Sequence, residues 1–116
     1  MNEIINLDNV KFPSVNHKMG YNPKTKQFFN NKDYSDFKEL IKTSAAKIKI
    51  EPPYKMLVEM GTVVDYDNCL KPINDGIAAA GVIDNDKNIV SVRIEKEIFK
   101  RNQPGYLRVY IGHYVD

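Results

Sequence analysis

The stretch of this chain best equipped for chemistry is Asp65-Tyr66-Asp67-Asn68-Cys69-Leu70-Lys71. Two carboxylates two residues apart project to one side of an extended chain. Holding them together is costly unless a cation or protons neutralise them. Read as a helix, the next segment places Asp67, Lys71 and Asp75 at i, i+4 and i+8 on one face. Leu70, Ile73 and Ile77 then fall at core spacing on another. A second acidic group, Asp84-Asn85-Asp86, follows Gly81. If Asp86 returns to the first pair, three carboxylates converge on a site for one or two Mg2+ or Mn2+ ions bound through oxygen. Such a site hydrolyses phosphodiesters: the cation polarises the phosphate, generates hydroxide from water and stabilises the leaving oxygen. Lys71 is the candidate to contact the phosphate or stabilise transition-state charge.

Each of these residues also has a plainer use. Asp65 and Asp67 serve equally as a turn and a helix N-cap. Lys71 serves as one end of a surface ion pair. Asp75 either orients Lys71 or only solvates its helix, and Asp84 reads as a turn residue. His17 and His113 are isolated and make no metal motif. Cys69 is the only cysteine, which excludes an internal disulfide and a cysteine-based zinc site.

The elements that must position these residues are legible in outline. Glu3–Leu7 reads as a short strand. Segment 12–32, with Pro13, Gly20, Pro23 and several asparagines, reads as a long loop or a loosely paired hairpin. Ser35–Lys47 reads as a helix capped by Ser35, with Phe37, Leu40, Ile41, Ser44 and Ala45 as its buried stripe. Glu51-Pro52-Pro53 closes it. Lys55–Val64 reads as a buried strand and Asp67–Ala80 as a second helix. Pro72 complicates that helix: either the regular part starts near Pro72, or the first turn is distorted. Gly76 would permit a close contact with the sheet or a partner subunit. Ile89–Phe99 and Tyr106–Val115 alternate as strands, and the 100–105 connection predicts an antiparallel pair. Lys96 shares a face with Val90, Val92, Ile94 and Ile98, where it either snorkels at the sheet edge or points toward the site. The sum is a single α+β domain over residues 1–116, a small mixed sheet with two main helices.

Charge is distributed unevenly. From Asp65 to Asp86 five acids face one base, whereas the rest of the chain carries 16 Lys and Arg against 10 Asp and Glu. An acidic window in a basic surround suits a metal-using enzyme of nucleic acids. Lys18, Lys24, Lys26 and Lys32 interleave with Tyr21, Phe28 and Phe29, a composition that suits phosphate contact with stacking on unpaired bases, or a loop that covers the core or a dimer interface. No apolar run is long enough to span a bilayer and no secretory signal is visible, so a cytoplasmic protein without a membrane partner is expected.

The ordered set resembles the RusA family of Holliday-junction endonucleases. The resemblance rests on Asp65, Asp67-Asn68, Lys71, Asp75, Gly81 and Asn85-Asp86, with Pro13-Ser14-Val15-Asn16 and Lys96 as further matches. It implies catalytic, metal-binding aspartates at Asp65, Asp67 and Asp86, a catalytic Lys71, and Mg2+ or Mn2+ as the only cofactor. It also implies a homodimer that nicks a four-way junction symmetrically, in the nucleoid of a bacterial or phage-infected cell. DNA contacts are expected at Asn16, Lys18, Lys24, Lys26, Asn68 and Lys96. Asn85 departs from the family, which often has an acid there. The alternatives are a branched-DNA-binding protein that does not cut, or a small metal-sensing module.

Overall fold

Alternate residues of the segment Tyr54–Thr62 are buried: Tyr54, Met56, Val58 and Met60 are each at most 3% exposed. That alternation marks a strand with one face covered by the core. The computed structural model describes residues 1–13, 20–22, 27–29 and 32–116, with the backbone alone for 20–22 and 27–29. Its elements are β1 (Asn2–Val10), β2 (Gly20–Asn22), β3 (Gln27–Phe29), α1 (Lys32–Ser44), β4 (Tyr54–Thr62), α2 (Tyr66–Ala79), a 3-10 turn (Asp86–Asn88), β5 (Ile89–Ile98) and β6 (Gly105–His113). The main sheet has the order β1-β6-β4-β5, and β2 pairs with β3 as a separate antiparallel ribbon. Two helices on a mixed four-stranded sheet make the α+β architecture expected.

One face of the sheet carries Leu107, Val109 and Ile111 of β6 and Ile4 and Ile5 of β1. With the buried residues of β4 they join Phe37 and Ile41 of α1 and Cys69, Ile73 and Ile77 of α2 in a single core. Gly76 is the point of closest helix approach. A Cβ there would lie 2.7 Å from the Ile41 side chain and 2.9 Å from the Lys38 carbonyl oxygen. The contact Gly76 permits is thus with α1 rather than with the sheet.

The expected β5–β6 hairpin does not form. β4 lies between them, parallel to β5 and antiparallel to β6. Alternation identifies which face of a strand is buried, not which strand is its neighbour. The connection 99–104 instead crosses the end of β4, where the Phe99 N–H donates to the Thr62 carbonyl at 3.1 Å. Gly61 makes room for this crossing: the rings of Phe99 and Tyr106, 5.7 Å apart, occupy the space a side chain would fill.

Other boundaries shift for local reasons. α1 starts at Lys32, ahead of Ser35, because buried Tyr34 extends the apolar stripe of Phe37 and Ile41 by one turn. It ends at Ser44, ahead of Lys47 and the prolines, and the Ala46 N–H is taken by the Ile4 carbonyl at 3.0 Å. β1 outruns the expected Glu3–Leu7 because β6 pairs along its whole length, and Arg108 binds Asp8 Oδ1 at 2.8 Å and the Leu7 carbonyl at 2.7 Å. Among the described residues no helix is long and apolar enough to cross a membrane.

Candidate active site

Thr62 ends β4. Its hydroxyl accepts from the Val64 N–H at 3.0 Å, bending the chain off the sheet. Asp65 follows with extended backbone, φ −60° and ψ 137°, and α2 begins at Tyr66. The first turn closes tightly, with the Asn68 N–H 3.1 Å from the Asp65 carbonyl oxygen. The Cys69 thiol donates to the same oxygen at 3.6 Å. Asp65 stands at the N-cap position, yet its side chain makes no capping hydrogen bond. Its carboxylate is therefore not spent on the use aspartate most often has there.

α2 runs unbroken through Pro72, whose ring is buried. The helix thus starts within one residue of the expected Asp67 and not near Pro72, and the Asn68 carbonyl goes without its usual i+4 donor. Because Asp67 is already in the first turn, Asp65 and Asp67 do not project in parallel from an extended chain, as their spacing suggested. What survives is the helical face. Lys71 Nζ lies 3.0 Å from Asp75 Oδ1 and 3.9 Å from Asp86 Oδ2. The hydrogen bond to Asp75 holds the Lys71 ammonium above the ordinary lysine pKa, with Asp86 adding to the effect.

Asp75 pairs with Lys71, and it has a second partner. The Tyr34 hydroxyl of α1 donates to Asp75 Oδ2 at 3.0 Å. Tyr34 is 8% exposed. Burial, reinforced by the Asp75 carboxylate, pushes its pKa up to about 12, so it remains a donor. Nothing in the sequence points to Tyr34: it lies 41 residues from Asp75 and in no motif.

The acidic turn after α2 divides its labour. Buried Tyr54 donates its hydroxyl to Asp84 Oδ1 at 3.0 Å and accepts from the Asp84 N–H at 2.9 Å. The Asn88 amide donates to both Asp84 oxygens. These bonds, Asn88 first, hold the Asp84 carboxyl below the ordinary aspartate pKa. Asp84 is a turn residue, as read. Asn85 caps the 3-10 turn through Oδ1, which accepts from the Lys87 N–H at 2.9 Å. An asparagine does this as well as an acid, and the turn it caps carries Asp86 toward Lys71.

Lys96 pairs in register with Met60 on the helix-covered face of the sheet and is half-buried. Its charge reaches the Cys69 thiol, so it faces the start of α2 rather than the open side of the edge strand. Burial nonetheless pushes Cys69 up to about 12, leaving it neither a nucleophile nor a metal ligand. Asn68 is half-buried in the first turn of α2. Asn16, Lys18, Lys24 and Lys26 lie outside the described residues, as do the side chains of Tyr21, Phe28 and Phe29.

The three aspartates Asp65, Asp67 and Asp86 do not converge. Among the described residues no group of three or more His, Cys, Asp or Glu is placed to hold a metal ion. The donors do fit a hard divalent cation in kind. All are carboxylate oxygens, Asp65 is uncommitted, and Mg2+ needs only one or two carboxylates beside water and phosphate. The surface is open: a cleft of about 350 Å3 lies beside Thr62, Val63 and Val64, but none of the four candidate residues lines it.

The sequence model of one family, described as Endodeoxyribonuclease RusA, matches residues 11–111. No curated protein matches the chain. The nucleases of that family are generally divalent-metal dependent, in keeping with the donor set on β4, α2 and the 3-10 turn. The match takes in α1, β4, α2, the acidic turn and β5, every element that builds the site, and the chain belongs to the RusA endodeoxyribonuclease family.

Proposed function

We propose that this protein is a metal-dependent endonuclease that resolves four-way DNA junctions by paired, symmetric nicks. The observation that carries the reading is Lys71, held between Asp75 and Asp86 on a helix that opens with Asp65 and Asp67. A cation sensor has no need of a lysine at that point.

In this reading Asp65, Asp67 and Asp86, which stand apart in the structure, would hold Mg2+ or Mn2+ once drawn together on the ion. The ion supplies Lewis-acid polarisation of the phosphodiester and a nucleophile at neutral pH. Lys71 binds a non-bridging phosphate oxygen and offsets charge developing there. Asn68 and Lys96, flanking the start of α2, contact the DNA backbone, with Asn16, Lys18, Lys24 and Lys26 extending the footprint. Affinity then comes mainly from phosphate neutralisation and falls with salt.

A dimer matches two equivalent sites to the two-fold symmetry of the junction. Edge strand β5 supports a second copy as the partner. Val90, Val92 and Ile98 are 56%, 49% and 83% exposed on it. Antiparallel pairing of two β5 strands centred on Ile94 sets each Arg93 opposite the other copy's Glu95 and each Val90 opposite its Ile98.

The separation of the three aspartates favours one other reading, a junction-binding protein that does not cut. The test is a labelled immobile four-way junction beside a linear duplex, with Mg2+, Mn2+ or chelator, using the wild type and Asp67→Asn. Paired metal-dependent nicks in the junction alone, lost in the variant while binding persists, are expected. Binding without nicking in either metal overturns the nuclease reading and leaves the binding protein.

A further inference from the structure

We propose that Tyr34 is a positioning residue that sets the place of Lys71 through Asp75; the inference rests on the nuclease reading and deepens it. The geometry divides one carboxylate between two donors. Tyr34 Oη donates to Asp75 Oδ2 at 3.0 Å while Lys71 Nζ holds Oδ1 at 3.0 Å. The two ends of this relay differ in freedom. Tyr34 is buried in the first turn of α1, and α1 is locked to α2 where Gly76 meets Ile41. The Lys71 side chain is 66% exposed. An exposed lysine paired four residues along a helix is ordinarily held weakly, because water competes and the long stem is mobile. A carboxylate anchored on its other oxygen cannot follow the ammonium as it wanders. The ammonium must come to the carboxylate, on the side where Asp86 waits at 3.9 Å. α1 thereby fixes a charge carried by α2.

A plainer account is that Asp75 exists to satisfy a buried hydroxyl. The two accounts differ in what Tyr34→Phe does to Lys71. The ring and its packing stay in that variant, and thermal melting verifies the fold. On the protein alone, 15N relaxation of the Lys71 ammonium reports how firmly it is held. Its order parameter falls in Tyr34→Phe and in Asp75→Asn, and the double variant matches Asp75→Asn. On the four-way junction, Tyr34→Phe lowers kcat about tenfold with junction Kd within about twofold, the pattern of a misplaced catalytic group rather than a lost binding contact. The double variant loses no more than Asp75→Asn, because the effect of the Tyr34 hydroxyl on Lys71 passes through that carboxylate. An unchanged Lys71 order parameter in folded Tyr34→Phe overturns the proposal, and so does a rate loss in the double variant that multiplies the single losses. The relaxation measurement needs no DNA. A wild type that does not cut therefore sinks the nuclease reading, while the order parameters still decide whether Tyr34 positions Lys71.

Discussion

Lys71 sits at unequal distances from two carboxylates, and the inequality matters. The nearer pair with Asp75 places the ammonium; the longer approach to Asp86 leaves it turned toward open surface. With the Lys71 side chain 66% exposed, the ammonium can reach a phosphate from this place without leaving Asp75 for buried surroundings. Lys71→Ala is expected to slow junction cleavage by about a hundredfold, as loss of one transition-state donor does, while Kd rises less than about threefold. Single-turnover cleavage beside gel-shift titration measures both, and equal losses would reduce Lys71 to a phosphate anchor. Asp84 gives a prediction of a different kind. Its folded-state pKa is depressed, chiefly by the Asn88 amide, so its stabilising effect is present above the unfolded-state value of about 3.9 and lost as pH falls through the folded value. Urea unfolding across the acid range should show the wild type losing stability more steeply below about pH 4 than Asp84→Asn. The acids and Lys71 were legible because their order and spacing are local properties of the chain. Tyr34 was not, because what gives it a role is the packing of α1 on α2, which no single segment encodes.

At the scale of elements, α2 shows a local rule broken and the helix kept. Pro72 lies well inside it, yet Cys69, Ile73, Gly76 and Ile77 bury a continuous face around the proline. Core burial outweighs one missing hydrogen bond. Gly76 tests the same balance from the other side. Alanine there adds about 1 kcal/mol of helix propensity. Its methyl would also press on Ile41 and the Lys38 carbonyl, and overpacking of a tight core costs about 1–3 kcal/mol. Gly76→Ala should therefore lower stability by about 1 kcal/mol, read as a fall in the urea midpoint at unchanged slope. A rise would mean the two helices can part without cost. Helices and strands could be read from apolar spacing, which each segment carries itself. The neighbour of each strand could not, since β5 and β6 show the same alternation whether they pair or flank β4. The start of α1 was misplaced because Ser35 is a good cap, and only burial of Tyr34 shows that the stripe begins earlier.

The whole molecule presents two unlike sides. The helix-covered face holds the core and the candidate site, and the outer edge of β5 leaves large apolar side chains in water. Single exposed apolar side chains are ordinary; Val90, Val92 and Ile98 on one edge strand beside self-complementary charges form a surface suited to a second copy. Val92→Glu is expected to convert a dimer to a monomer in sedimentation velocity with little change in melting of the monomer. A dimer that survives the change would place the subunit contact elsewhere. The sequence offers a sheet edge here only as one alternative for Lys96, because β5 is fixed as an edge strand only once β6 is known to lie beyond β4.

That order also sets a timetable. β1 pairs with β6, Asn2 opposite Ile111, so, of the four strands of this sheet, the first to be synthesised has its hydrogen-bonding partner in the last. β4 waits for the same strand. Pairings this distant along a chain are slow to close and keep apolar faces uncovered meanwhile. Lys71, Asp75 and Asp86 are all synthesised before β6 begins. They nevertheless gain a rigid base only when a strand that contributes none of them arrives, which ties the appearance of the site on a growing chain to the completion of the sheet beneath it.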